Sequence, residues 1–202
     1  MWSCSTRIRA TTSRSGICEP SAVLATVGVH VDVAVVADAA ALAAVAAQTF
    51  PLACPPTTTP DNIAAFVNAS LSTARFASYV TDPGHLVLAA REGDRLVGYA
   101  MLIAGTGTDP DVQRAVSALP ALEVNKMYAL AEYHGGGVAP ALIAAAVDHA
   151  QALDAASMWL GVNQQNRRAQ RFYAKHGFTI TGTKRFALGA DVEDDYVMVR
   201  PL

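Results

Sequence analysis

The chain has 202 residues, with 15 lysines and arginines against 17 aspartates and glutamates, a net charge of −2 and a hydrophobic share of 52%. A domain of this length buries a sizeable core, and a charge so near balance gives no long-range attraction to nucleic acid or to an anionic membrane surface. Much of the apolar content is alanine, and its densest run, Ala39 to Ala47, is bounded by Asp38 and Gln48, well short of the roughly 18 residues of a membrane span. Cys4, Cys18 and Cys54 are odd in number and unrelated in spacing. They fit neither a disulfide framework nor a zinc site and read as free thiols, so the expected location is cytoplasmic.

Residues 1–26 set Trp2, Arg7, Arg9 and Arg14 among serines and threonines, without periodicity and without an apolar h-region. This predicts a disordered leader ahead of one domain over 27–202. Val29 to Val36 predicts a first strand, and Asp38 an N-cap for a helix from Ala39 to about Thr49. Pro51, Pro55 and Pro56 make a loop. Thr59-Pro60 opens a second helix to about Ser72, with Ile63, Phe66, Val67 and Leu71 as its apolar stripe. His85 to Arg91 and Arg95 to Ile103 read as strands joined by the turn Glu92-Gly93-Asp94. Gly105 to Asp111 reads as loop and Val112 to Leu119 as a helical turn. Further on come a strand over Ser157 to Val162, a helix over Arg167 to Lys175 with Gly177 as its C-cap, and an antiparallel pair, Phe178 to Leu188 with Tyr196 to Arg200.

Between them lies the stretch Leu122 to Leu142, LEVNKMYALAEYHGGGVAPAL. Leu122, Val124 and Tyr128 alternate with Glu123, Asn125 and Met127, the period of a strand. His134-Gly135-Gly136-Gly137 breaks the pattern, and a helix follows with Pro140 in its first turn. The N–H groups of a glycine turn feeding a helix start point outward, where the helix dipole favours an anion. No Gly-Lys-Ser/Thr follows, and the glycines do not make G-x-G-x-x-G, so neither common nucleotide fingerprint applies.

Two blocks in this order resemble the GCN5-related N-acetyltransferase (GNAT) superfamily. There a fourth strand enters a turn (Arg/Gln)-x-x-Gly-x-(Gly/Ala) that grips the pyrophosphate of coenzyme A. Here the turn is His134-Gly135-Gly136-Gly137-Val138-Ala139, with His134 in place of Arg or Gln. The second block stands as Asn166, Ala169, Phe172-Tyr173 and Gly177-Phe178. From Trp159 through Asp195 the string also looks like the Pai-type spermidine/spermine N-acetyltransferases, departing at Asn163-Gln164.

The resemblance implies an α/β fold whose mixed, mostly antiparallel sheet of about seven strands carries helices on both faces. It implies acetyl-CoA as donor and direct transfer to a primary amine. The backbone of Met127, Tyr128 and Ala129 would hold the pantetheine arm where a bulge splays the fourth strand from the fifth, and one N–H would meet the acetyl oxygen. The turn His134 to Ala139 would hold the phosphates. Tyr173, on one helix face with Ala169 and Phe172, would bind the cofactor and protonate the leaving thiolate; alone it reads as a core tyrosine. Asn166 reads both as an N-cap and as a pantetheine ligand. Glu123 would take the amine proton, or is a carboxylate paired with Lys126.

Arg167, Arg168 and Arg171 read as a solvated helix face. Asp191, Glu193, Asp194 and Asp195 read as a solvated hairpin or as an acidic rim for a polycation. The expected partner is a small-molecule amine, polyamine-like first, with a protein or peptide amine as one alternative and a non-catalytic acyl-CoA sensor as another. No metal, nucleic acid or membrane is implied, and a homodimer is allowed.

Overall fold

The computed structural model describes residues 28–55, 57–188 and 191–202. The leader read over 1–26, with Cys4 and Cys18, lies outside them. Seven strands make one sheet in the order β1-β2-β3-β4-β5-β7-β6. They are β1 (His30–Val33), β2 (His85–Glu92), β3 (Arg95–Ala104), β4 (Ala121–Ala129), β5 (Ser157–Asn163), β6 (Thr179–Leu188) and β7 (Asp191–Pro201). Only β4 and β5 pair in parallel. The helices are α1 (Ala39–Thr49), α2 (Pro60–Ser70), α3 (Thr73–Thr81), α4 (Pro110–Ala115), α5 (Val138–Ala152) and α6 (Arg167–Lys175). This is the mixed, mostly antiparallel sheet with helices on both faces that the family resemblance implied.

Several boundaries move for local reasons. The first strand stops at Val33, because Val35 N donates to Asp38 Oδ2 at 2.9 Å and closes a 3-10 turn over Val36–Asp38. The Asp38 side chain is thus engaged by Val35 and by Arg91, 2.8 Å away, and makes no cap bond to α1. With its flanking 3-10 turns α1 forms an apolar stretch of 18 residues, Val36–Ala53, long enough by length and composition to cross a membrane. This corrects the reading that no run approaches that length. A core helix passes the same test, and Leu42, Val45, Ala46 and Phe50 are buried in the core.

Thr59 does cap α2, accepting from Asn62 N at 3.3 Å, with Pro60 at the first position. The helix ends at Ser70 rather than Ser72. Leu71 is fully buried, the chain turns there, and Ser72 takes an extended conformation that starts α3. That helix is absent from the sequence reading, though Phe76, Tyr79 and Val80 carry its helical spacing. Phe76 packs edge-on against Tyr99 of β3, ring centroids 5.3 Å apart. The helix α4 begins at Pro110, earlier than read, with the Asp109 side chain capping it. At the other end of the sheet β7 begins at Asp191, so the acidic run Asp191–Asp195 belongs to a paired strand and not to a hairpin loop.

The opposite sheet face takes α5. Gly98 of β3 permits that packing, since a Cβ there would lie 2.8 Å from the Tyr128 carbonyl oxygen and 2.8 Å from Val138 Cγ1. Gly98→Ala must therefore push the end of β4 away from the start of α5. The expected loss is that of overpacking, about 1–3 kcal/mol, read as a lower urea midpoint.

Two irregularities loosen the pairing of β4. Its register with β3 slips between Met101, opposite Lys126, and Leu102, opposite Val124, which leaves Asn125 unopposed as a β-bulge. Its parallel pairing to β5 covers only Ala121 to Glu123, and the two strands diverge beyond Glu123 and Trp159.

Candidate active site

Divergence of β4 from β5 opens a cleft of about 230 Å³ at the middle of the sheet. From Val124 onward β4 has no partner on that side, so alternate N–H and C=O groups turn toward open space. Such an edge accepts an extended, amide-bearing chain as a strand would.

The bulge decides which side chains enter the cleft. Residues directly opposite in an antiparallel pair share a face. Ile103 lies opposite Glu123, Met101 opposite Lys126 and Tyr99 opposite Tyr128. So Glu123, Lys126 and Tyr128 stand on one face, and Met127, opposite Ala100, stands on the other. Strict alternation placed Met127 with Glu123 and Tyr128 with Leu122; the extra residue at Asn125 reverses both. Glu123 Oε1 accepts from Asn125 Nδ2 at 2.9 Å, and Lys126 Nζ donates to Asn125 Oδ1 at 2.5 Å. Asn125 thus stands between the acid and the lysine, which form no direct ion pair.

Burial lowers the Lys126 pKa to about 8 from its ordinary 10.5, against the opposing charge of Glu123 and with help from Arg75. Because the folded value lies below the unfolded one, the charged lysine opposes folding. That penalty is full below pH 8 and fades as pH rises toward 10.5. Reductive ¹³C-methylation followed by NMR should find one lysine, lost in Lys126→Gln, titrating near 8. An ordinary titration would mean that the ammonium is solvated.

At the wide end, β4 runs into the glycine turn. Gly135 and Gly137 have φ of 82° and 93°, a region that favours glycine, and nothing lies within 4 Å of a Cβ built at either. The N–H groups of Gly137, Val138 and Ala139 donate to no described residue and stand at the N-terminus of the 15-residue α5. Unpaired donors, open space and a helix dipole make an anion cradle. His134 sits beside it. Arg168 donates to its Nδ1 at 3.1 Å, so Nε2 carries the hydrogen and donates to the Ala129 carbonyl, also at 3.1 Å. Arg168 therefore does more than solvate α6, and His134 ties the end of β4 to that helix.

From the other wall come Asn166 and Tyr173. Asn166 Oδ1 caps α6 by accepting from Ala169 N at 3.0 Å, while the residue also lines the cleft. Gly177, φ 85°, ends the helix, and Phe178 N reaches back to the Tyr173 carbonyl at 3.1 Å. Phe172 and Phe178 hold the Tyr173 ring at centroid distances of 5.3 and 5.7 Å. Its hydroxyl has no hydrogen-bond partner among the described residues, and burial pushes its pKa up, so the phenol stays protonated.

Four cleft side chains, Tyr128, Cys54, Glu193 and Asp195, carry no catalytic role in the sequence reading, where Tyr128 is a backbone contact and the two acids belong to a solvated hairpin or an acidic rim. Tyr128 contributes its hydroxyl as well as its backbone; burial first, then the charge of Tyr173, Cys54 and Asp195 around it, raises its pKa. Cys54 lines the cleft as a free thiol whose pKa burial and then Glu193 push up, which keeps it unreactive. Asp195 is only 8% exposed. Glu193 also lines the cleft and accepts from Asn163 Nδ2 at 3.1 Å.

The acetyltransferase (GNAT) family model matches residues 48–178. An uncharacterized N-acetyltransferase of Mycobacterium tuberculosis is 54% identical over 165 residues, covering 82% of this chain and 98% of that protein. Among solved structures, a PaiA N-acetyltransferase of Thermoplasma acidophilum, in complex with coenzyme A, superposes with a TM-score of 0.69 at 17% identity, over 87% of this chain and 99% of that one. A Salmonella typhimurium protein solved with its cofactor acetyl-CoA gives 0.57 at 21% identity, over 87% and 94%.

Proposed function

The chain belongs to the acetyltransferase (GNAT) family, and on that premise we propose that it transfers an acetyl group from acetyl-CoA to the primary amine of a small, polyamine-like cation. The residues present fit coenzyme A. The unpaired donors of Gly137, Val138 and Ala139 suit its phosphates, and the free edge of β4 suits the amides of its pantetheine arm. When bound, acetyl-CoA supplies the acetyl group as a thioester.

The chain's own residues then have distinct tasks. The β4 backbone near Met127 orients the thioester carbonyl and donates an N–H to its oxygen as charge develops there. Tyr173 directs a protonated hydroxyl into the cleft, positioned to give a proton to the departing sulfur. Asn166 steadies the arm from the opposite wall.

One observation carries the choice of a small acceptor over a polypeptide: α2 meets β6. Phe66 of α2 and Lys184 of β6 both line the cleft, so the elements that meet also wall it. A polypeptide acceptor needs a groove that no such contact crosses. Glu123, Glu193 and Asp195 along the cleft favour a cationic acceptor. The narrower Pai-type assignment rests on the string from Trp159 through Asp195.

The test is release of free coenzyme A thiol with a panel of spermidine, spermine, simple alkylamines and N-terminal peptides. Release with the small amines alone supports the proposal. Release only with peptides would mean an acceptor groove open enough for a chain, and coenzyme A binding without release under any condition would mean a sensor.

A further inference from the structure

We propose that Asp195 is the general base of the reaction, its carboxylate receiving the acceptor's ammonium group and taking one proton from it. This deepens the acetyltransferase reading and rests on it. The sequence-based candidate, Glu123, is held by Asn125 at the closed apex where β4 and β5 still pair. Asp195 is placed differently. It comes from β7, opposite Asn163 of β5 and Lys184 of β6, and its side chain lies over Gly161, where a Cβ would stand 3.2 Å from Oδ2. The missing side chain at Gly161 makes room first for Lys184, whose Cε and Nζ would lie 2.8 and 3.4 Å from that Cβ, and then for the carboxylate beside it.

The residue is more than nine-tenths buried and lines the cleft, yet its carboxylate makes no hydrogen bond or ion pair with a described residue. Its oxygens are not among the sealed, unpartnered polar atoms of the described residues, so they stay open to the cleft, where a ligand's ammonium can pair with them. Its cross-strand neighbour Lys184 leans instead over the Trp159 ring, Nζ 5.5 Å from the centroid. The charges facing Asp195 are Lys184 from β6 and Glu193 and Asp194 on its own strand, while Tyr128 from β4 is the phenol that feels both Asp195 and Tyr173. Glu123 and Lys126 of β4, Tyr173 of α6 and Cys54 line the same cleft. The base and the thiolate's proton donor thus border one phenol at one point of the cleft. Burial, reinforced by Glu193 and Asp194 and opposed by Lys184, raises the Asp195 pKa to about 6. Such a carboxylate is ionised at neutral pH and still basic enough to accept a proton.

The protons balance. Asp195 takes one from the ammonium, leaving a neutral amine whose lone pair forms the N–C bond as the C–S bond breaks. Tyr173 gives its proton to the sulfur, and the second proton leaving the nitrogen restores the phenol. Asp195 returns its own to solvent.

The test compares Asp195→Asn with wild type using spermidine and hydroxylamine as acceptors between pH 5 and 9. Hydroxylamine is a neutral nucleophile near pH 7 and needs no base. Expected for Asp195→Asn is a fall of about a hundredfold or more with spermidine, loss of the rise in rate through pH 6, and a hydroxylamine rate within a few-fold of wild type. Asp195→Glu should recover part of the spermidine rate. Equal loss with both acceptors, or no loss with spermidine, overturns the assignment. So does a wild-type enzyme that acetylates hydroxylamine but no alkylamine. A wild type that acetylates nothing overturns the acetyltransferase reading itself, and the base assignment with it.

Discussion

Tyr173→Phe is expected to lower kcat by about a hundredfold or more, roughly 3 kcal/mol of barrier, with the KM for acetyl-CoA and the melting temperature nearly unchanged. The split follows from the local geometry. The ring is held by Phe172 and Phe178, and phenylalanine keeps both contacts. The hydroxyl bonds to no described residue, so its removal leaves no orphaned partner and costs the fold little. What is lost is a proton available to the sulfur as the C–S bond breaks, an interaction made only in the transition state. The raised pKa of the phenol keeps that proton in place across the neutral range. Coenzyme A is itself a fair leaving group, its thiol near the ordinary value of about 8.5. The loss should therefore shrink where proton donation limits less, at lower pH or with a more nucleophilic acceptor. Steady-state kinetics of the variant against pH checks both statements. A raised KM with kcat intact would reduce the tyrosine to a cofactor contact, and normal kinetics in both terms would make it a packing residue.

The parts of this site that short-range chemistry specifies were legible in the sequence. The glycine turn at Gly135–Gly137, the cap at Asn166 and the C-terminal Gly177 each follow from what one residue type permits, and each is where its spacing put it. The parts that depend on counting across strands were not. One unopposed residue at Asn125 puts Tyr128 and Lys126 on the Glu123 face of the sheet and Met127 on the other, and the alternation of Leu122, Val124 and Tyr128 carries no mark of the extra residue. Asp195 was hidden for a related reason. A run of four acids within five residues reads as a solvated hairpin or an acidic rim, and neither reading shows that pairing with Lys184 to Leu188 on one side and with β5 on the other draws its last member under cover. The second helix was read through Leu71 because its stripe continues, whereas burial of Leu71 forces the chain to turn and start α3. Tertiary pairing overrode local pattern in all three places.

Gly137→Glu should weaken coenzyme A binding by about a hundredfold or more, some 3 kcal/mol, while the protein still folds. Gly137 is the N-cap of α5 with φ 93°, and any L residue there pays backbone strain of about 1–3 kcal/mol. Space is not the obstacle in the free protein, since no atom lies within 4 Å of the added Cβ. On the acetyltransferase reading a phosphate takes the free Gly137, Val138 and Ala139 N–H groups, and a carboxylate introduced beside them competes for the same donors and repels the ligand's charge. Gly137→Ala separates the two contributions, because it carries the strain without the charge and should keep affinity within about tenfold. The charge part should also weaken with salt, as exposed charges are screened over about 8–10 Å at 0.1–0.15 M. Calorimetry of coenzyme A binding to both variants at two ionic strengths reads these terms apart. If folded Gly137→Glu binds as wild type does, the phosphates lie elsewhere, and the free donors at the head of α5 serve only the turn.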